Sequence, residues 1–191
     1  MTRLHVALVV ALLGLAQDAP KPVRVLIETE VGEIEAEIDS VRAPITAANF
    51  LKYVDAGLFD GGRFFRTVRP DNQVDKPVKI AVIQASANRD RRSEYFPAIP
   101  LERTSVTGLA HKDGTLSMAR STPDTARDSF SICVGDQPSL DFGGARQPDG
   151  QGFAAFGRVV RGMDVVWKIQ MAPANGETLM PAIAIVRIRR L

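Results

Sequence analysis

Conventional catalytic groups are scarce in this chain. It carries two histidines and one cysteine among 191 residues. His5 lies in an apolar N-terminal run, which leaves His111, in Ala110-His111-Lys112-Asp113-Gly114, as the one histidine available for chemistry. A Ser-His-Asp hydrolase would have to use it, and no G-x-S-x-G elbow is present to expose a serine. One usable histidine and one cysteine supply no ligand set for a metal. Cys133 sits in Phe130-Ser131-Ile132-Cys133-Val134, which reads as a strand. There a lone cysteine packs as a small hydrophobe, and with no His/Asn partner it is not a nucleophile. It has no second cysteine for an intrachain disulfide. No metal or cofactor is expected. The remaining polar groups of interest are Arg66, directly after Phe64-Phe65, and Gln84, which ends Val82-Ile83-Gln84. A guanidinium is a rigid, permanently charged donor, so it suits electrostatic rather than proton-transfer chemistry.

The elements that must position these residues follow from periodicity. Val23 to Ile27 and Glu33 to Ile38 flank Glu30-Val31-Gly32 and read as a hairpin. Ala43-Pro44 starts a helix, because proline is tolerated at the first helical position. Ala47, Phe50, Leu51 and Val54 give it one apolar face, and Gly57 stops it. Strands are expected at Arg63 to Val68 and Ile80 to Gln84, separated by the turn-rich Arg69-Pro70-Asp71-Asn72-Gln73. Residues 85–113 form a long polar excursion, of the kind that is often functional. Short strands follow at Leu116 to Ala119, Phe130 to Val134 and Phe156 to Val160. Met163, Val166, Trp167 and Gln170, widened by Val165 and Ile169, mark the face of a second helix. Ile183 to Ile188 is a final strand, and Arg187-Ile188-Arg189-Arg190 gives it a solvated face. Many short strands with two separated helices exclude a doubly wound parallel sheet. A closed antiparallel barrel removes the edges such strands would expose.

Composition adds bounds. The chain is 45% hydrophobic and 24% charged, which suits one soluble globular domain. A formal charge of +2 without a long basic run gives no footprint for nucleic acid. The N-terminus departs from this pattern. Met1-Thr2-Arg3 is a basic start, His5 to Leu15 is nearly all apolar, and Gly14-Leu15-Ala16 is a small-residue site. That is the layout of a secretory leader, and the run is too short for the roughly 20 residues of a spanning helix. The reading is a leader at 1–19, a domain at 20–191 and an exported, periplasmic protein.

The ordered motifs are Ala43-Pro44 before Thr46-Ala47-Ala48-Asn49-Phe50, Phe64-Phe65-Arg66, Ser117-Met118-Ala119-Arg120, Phe156-Gly157-Arg158-Val159-Val160 and Gly162-Met163-Asp164-Val165-Val166. Together they resemble a cyclophilin-type peptidyl-prolyl cis/trans isomerase over about residues 23 to 190. The resemblance implies a mainly β fold, an eight-stranded closed antiparallel barrel capped by two α-helices. It also implies a folding catalyst acting on proline-containing peptides or unfolded protein segments, as a monomer. By that resemblance Arg66 and Gln84 are the catalytic residues. Phe65, Val82, Ala119, Arg120, Ser131, Leu140 and Phe153 bind substrate, with Ala119 and Arg120 working mainly through their backbone.

The chain departs from the family pattern around the proline slot. The aromatic and methionine expected just before the glutamine are Ala81 and Val82. The phenylalanine two residues before Cys133 is Ser131, the tryptophan before Leu140 is Ser139, the histidine three residues before Phe156 is Phe153, and Gly-Gly after the glutamine is Ala85-Ser86. Phe65, Phe130, Phe153 and Leu140 are the residues expected to rebuild the slot. A catalytically weak or inactive peptide-binding module or chaperone of the same fold is the alternative reading.

Overall fold

The computed structural model describes residues 22–191; the leader expected at 1–19 lies outside them. Eight strands close into one antiparallel barrel. They are β1 (Val23–Thr29), β2 (Gly32–Ile38), β3 (Arg63–Val68), β4 (Val82–Ser86), β5 (Thr115–Met118), β6 (Ser129–Cys133), β7 (Ala154–Arg161) and β9 (Thr178–Arg190). Their order around the ring is β1-β2-β7-β5-β6-β4-β3-β9, and β9 returns to β1. The two-residue β8 (Ala174–Asn175) pairs only with the start of β9. The expected strands are all present. β7 starts two residues earlier than expected, and β9 starts at Thr178 rather than Ile183.

Alternation along the strands sorts side chains between the barrel interior and its outer face. Val25 and Ile27, Ile34 and Ala36, Phe64, Ile83, Leu116, Phe130, Phe156 and Ile185 are all buried in one core. Helix α1 (Pro44–Asp55) covers this core with the expected face of Ala47, Phe50, Leu51 and Val54. The Phe50 ring lies 5.2 Å from those of Phe59 and Phe156 and 5.3 Å from that of Phe130. Truncating it to alanine would cost about 3–5 kcal/mol. Ala43, at the N-cap, contributes no capping side chain. Glu102 takes over that task from the polar excursion, accepting from the backbone N–H groups of Ile45 (3.0 Å) and Thr46 (2.7 Å). The excursion itself contains a 3-10 segment (Arg89–Glu94) and a one-turn helix, α2 (Thr104–Thr107).

Helix α3 (Met163–Gln170) packs with its expected face, Met163 included, except at Trp167. Val165, Val166, Ile169 and Gln170 are buried, while Trp167 is half-exposed. The end of the helix is fastened to the barrel. The Gln170 carbonyl accepts from Thr67 Oγ1 (2.8 Å) and Arg69 Nη1 (2.9 Å), which pins that residue against β3.

Candidate active site

The polar groups of the site form a row set by strand register. Arg66 on β3 pairs with Gln84 on β4, Gln84 with Ser131 on β6, and Ser131 with Ser117 on β5. Successive partners in a ladder point to the same face, so all four side chains lie outside the barrel. Arg66 gets there through a bulge. The pairing of β3 with both neighbours shifts between Phe64 and Arg66. Without it, Phe64 and Arg66 would share a face; with it, Phe64 enters the core opposite Ala85 and Arg66 turns outward opposite Gln84.

The guanidinium is fixed on two sides. Arg66 Nη1 donates to Gln84 Oε1 (2.9 Å), and Nε donates to Glu177 Oε2 (2.8 Å), with Nη2 reaching the same carboxylate oxygen. Gln84 is held in turn: its Nε2 donates to Ser129 Oγ (3.2 Å), and that hydroxyl donates to the Ala85 carbonyl (2.7 Å). Glu177 lies in the turn between β8 and β9, 111 positions from Arg66, and nothing local in the sequence marks it.

Beside this row lies a cavity of about 260 Å³. Its apolar part is lined by Ile80, Val82, Leu140 and Phe153, which belong to a second hydrophobic cluster with Val68 and Cys133 on the outer face of the sheet. Cys133 is fully buried there, and burial pushes its thiol pKa well up, which keeps it protonated.

Of the residues expected at the site, Arg66, Gln84, Val82, Ala119, Arg120, Ser131, Leu140 and Phe153 line this one cavity. Phe65 does not. It is the extra residue of the bulge, and Arg89 covers its ring at 5.4 Å. Phe130 is also absent from the slot, because it faces inward and sits at the centre of the aromatic core. Of the four residues expected to form the slot wall, Phe153 and Leu140 line the cavity.

Arg120 has a task beyond its backbone. Its side chain is fully buried and makes a bidentate pair with Asp149 (2.8 and 3.0 Å). It also donates from Nε to the Gly152 carbonyl (2.8 Å) and lies 5.1 Å from the Phe153 ring centroid. It thus ties the loop at 141–153 to β5. Gly152 closes that loop in the left-handed region (φ 66°), where a Cβ would come within 2.6 Å of the Asp141 backbone.

A second tie runs through His111. Its Nδ1–H donates to Asp141 Oδ1 (2.7 Å), a carboxylate that can only accept, and its Nε2 accepts from the Ser117 hydroxyl (2.8 Å). Sequence reading found no serine partner for His111; the fold brings Ser117 and Asp141 to it. Ser117 lies in mid-strand and is almost fully buried, and the imidazole is sealed from solvent. Burial outweighs the carboxylate and lowers the His111 pKa. The ring is accordingly neutral, and its hydrogen bond to the Asp141 carboxylate anchors the loop after Leu140.

The comparisons agree with this architecture. A family model described as cyclophilin type peptidyl-prolyl cis-trans isomerase matches residues 24–190. A peptidyl-prolyl cis-trans isomerase of Acinetobacter baylyi is 36% identical over 172 residues, covering 90% of this chain and 84% of that protein. Peptidyl-prolyl cis-trans isomerase A of Dickeya dadantii is 33% identical, covering 88% and 85%. Among solved structures, a Cryptosporidium parvum cyclophilin-type isomerase superposes with a TM-score of 0.68 at 18% identity, covering 90% of this chain and 98% of that one. The same name recurs for a structure obtained in the presence of the dipeptide Ala-Pro, with a TM-score of 0.65 at 19% identity and coverage of 87% and 97%. Fold, motif order and relatives coincide: the chain belongs to the cyclophilin-type peptidyl-prolyl cis-trans isomerase family.

Proposed function

We infer that this chain is a peptidyl-prolyl cis/trans isomerase in which Arg66 is the catalytic donor and Gln84 orients it and the substrate backbone. The observation that carries the assignment is the placement of a guanidinium, immobilised by Gln84 and Glu177, beside an apolar slot formed by Val82, Leu140 and Phe153. Rotation about an Xaa-Pro bond is opposed by amide resonance, of order 20 kcal/mol. At the twisted transition state that resonance is lost, and the imide nitrogen gains a lone pair that can accept a hydrogen bond. A donor aimed there binds the transition state more tightly than either ground state, which is the condition for catalysis. The slot takes the proline ring, so that the bond to be turned lies beside the arginine. A protein of the same fold has been crystallised in the presence of Ala-Pro, and Ala119 on the cavity rim would meet an extended peptide through its carbonyl, its N–H being bonded to the Ser129 carbonyl (2.9 Å). No nucleophile or proton shuttle enters the mechanism.

The proline slot is a divergent one, smaller in its aromatic content, because Ala81 and Ser131 stand where the family pattern has an aromatic residue and a phenylalanine. We assign the protein to the exported bacterial members of the family, working as a monomer on unfolded segments in the periplasm. The support is the leader composition of residues 1–19. N-terminal sequencing from the native host should find a start between Gln17 and Pro20; an intact Met1 on soluble cytosolic protein would overturn the export assignment. The enzymatic assignment is tested by a proline-isomerisation assay on a set of Xaa-Pro peptides. Turnover is expected. Peptide binding with no turnover would instead identify a binding module.

A further inference from the structure

The cavity is unusual in its charge. Four of its lining residues, Arg66, Lys76, Arg120 and Arg146, are cationic, and among the described residues no aspartate or glutamate lines it. Two of the four are compensated, Arg66 by Glu177 and Arg120 by Asp149. Arg146 is held differently. Its Nη1 donates to neutral acceptors, Gln73 Oε1 (2.8 Å) and the Val78 carbonyl (2.7 Å). Both belong to the turn-rich segment between β3 and β4, where the buried Gln73 side chain also bonds the Arg69 and Ile80 carbonyls (2.7 Å each). Arg146 is therefore pinned at the cavity with its charge intact. Burial and the nearby charge of Arg66 both work against its charged form, opposed by Glu177. Lys76, from the same segment, is exposed at the rim.

Building on the isomerase reading, we propose that Arg146 and Lys76 make this site selective for prolines flanked by an acidic residue. A carboxylate next to the proline meets two cations that have no ion pair among the described residues, and the apolar walls on the other side focus their field. A lysine in the same place is repelled by both cations, and the nearby Glu177 carboxylate is already taken up by Arg66. Selectivity of this kind resides in the two loops that carry Lys76 and Arg146, leaving the row of Arg66 and Gln84 to the rotation itself.

The test uses the full-length mature protein and two series of short peptides. One varies the residue before proline as Glu, Ala or Lys, the other the residue after it. Turnover of the Ala peptide reports isomerase activity by itself. The Glu to Lys ratio of kcat/KM reports this proposal. A ratio of about three- to tenfold or more is expected in at least one series at low salt, the scale of a partly exposed charge pair. It should shrink towards one near 1 M salt, where screening acts over about 3 Å. Lys76→Gln, an exposed change, should lower the ratio, and Arg146→Gln should lower it further. A ratio within twofold of one in both series, a preference for lysine, or a ratio indifferent to salt and to both substitutions would overturn the proposal. If no peptide is turned over, the isomerase reading fails. The same Glu to Lys comparison of Kd by calorimetry then decides the charge selectivity alone.

Discussion

The two halves of the cavity are built by different means. The half that carries Arg66, Gln84, Ser131 and Ser117 is a ladder row, fixed by backbone register across four strands. The half that carries Leu140, Arg146 and Phe153 is loop, fixed by side chains reaching across long sequence separations: Arg120 to Asp149, His111 to Asp141, Arg146 to Gln73. A register is shared by every residue in the strands and resists single substitutions. A loop held by a few side chains can be altered one contact at a time. The division suits an isomerase, whose chemistry is constant while its clients differ.

If the row carries catalysis, the largest effect should come from Arg66. Arg66→Ala should lower kcat/KM by about one to three orders of magnitude, the scale for removing one preorganised donor. Arg66→Lys should recover little, since a point charge lacks the planar fork. Peptide binding should fall much less than turnover. Unchanged turnover in Arg66→Ala would break the assignment of the row.

If the loop wall is held mainly by Arg120, then Arg120→Met should destabilise the fold by about 2–3 kcal/mol in urea unfolding, because a buried bidentate pair and a bond to the Gly152 carbonyl are lost. In the same variant KM should rise by more than kcat falls, since the slot loosens while Arg66 stays in place. Equal losses in both would mean that the two halves are not separable.

Glu177→Gln probes the join between them. The guanidinium loses its charged partner but keeps Gln84, and kcat should fall roughly tenfold with KM nearly constant, a positioning effect. A rise in KM alone would place Glu177 in substrate binding instead.

The smallest effect is one of pH. His111 is neutral in the fold, its pKa lowered by burial from an ordinary 6.5. Below that value the unfolded chain takes up a proton that the folded chain refuses, so stability falls as the pH drops. Above it His111 contributes no slope. The rate should be flat between about pH 6.5 and 8, because neither a guanidinium nor a carboxamide exchanges a proton there. A bell-shaped rate profile would show that a proton carrier takes part.

These contrasts also explain what the sequence could and could not disclose. Period-two runs and the apolar face of Pro44–Asp55 were legible because burial imposes them locally. Motif order supplied Arg66 and Gln84. Phe65 was assigned to the slot by resemblance, from its place beside Arg66; as the extra residue of the bulge it turns away under Arg89, and the sequence carries no mark of that bulge. Trp167 was misplaced because Val165, Val166 and Ile169 fill the core side of its helix and leave the indole at the edge of that face. Glu177, Gln73 and Asp141 were missed because their partners are remote or are reached only after the barrel closes. Ser117 and His111 were within six positions of each other, yet only the fold shows that one hydroxyl and one ring meet.

Strand β9 pairs with β1 from Ile185 to Arg190 and with β3 at Thr178, Ile183 and Ala184. It is the stave that shuts the ring. During synthesis, a ribosome that has released everything through α3 still holds an open sheet with β1 and β3 as two bare edges. Thirteen residues then cover both edges. Until they emerge, the nascent chain presents unpaired backbone of the kind that recruits other strands. A chain cut before Thr178 should accumulate as aggregate, whereas a closed ring with its two terminal strands side by side is a natural candidate for circular permutation.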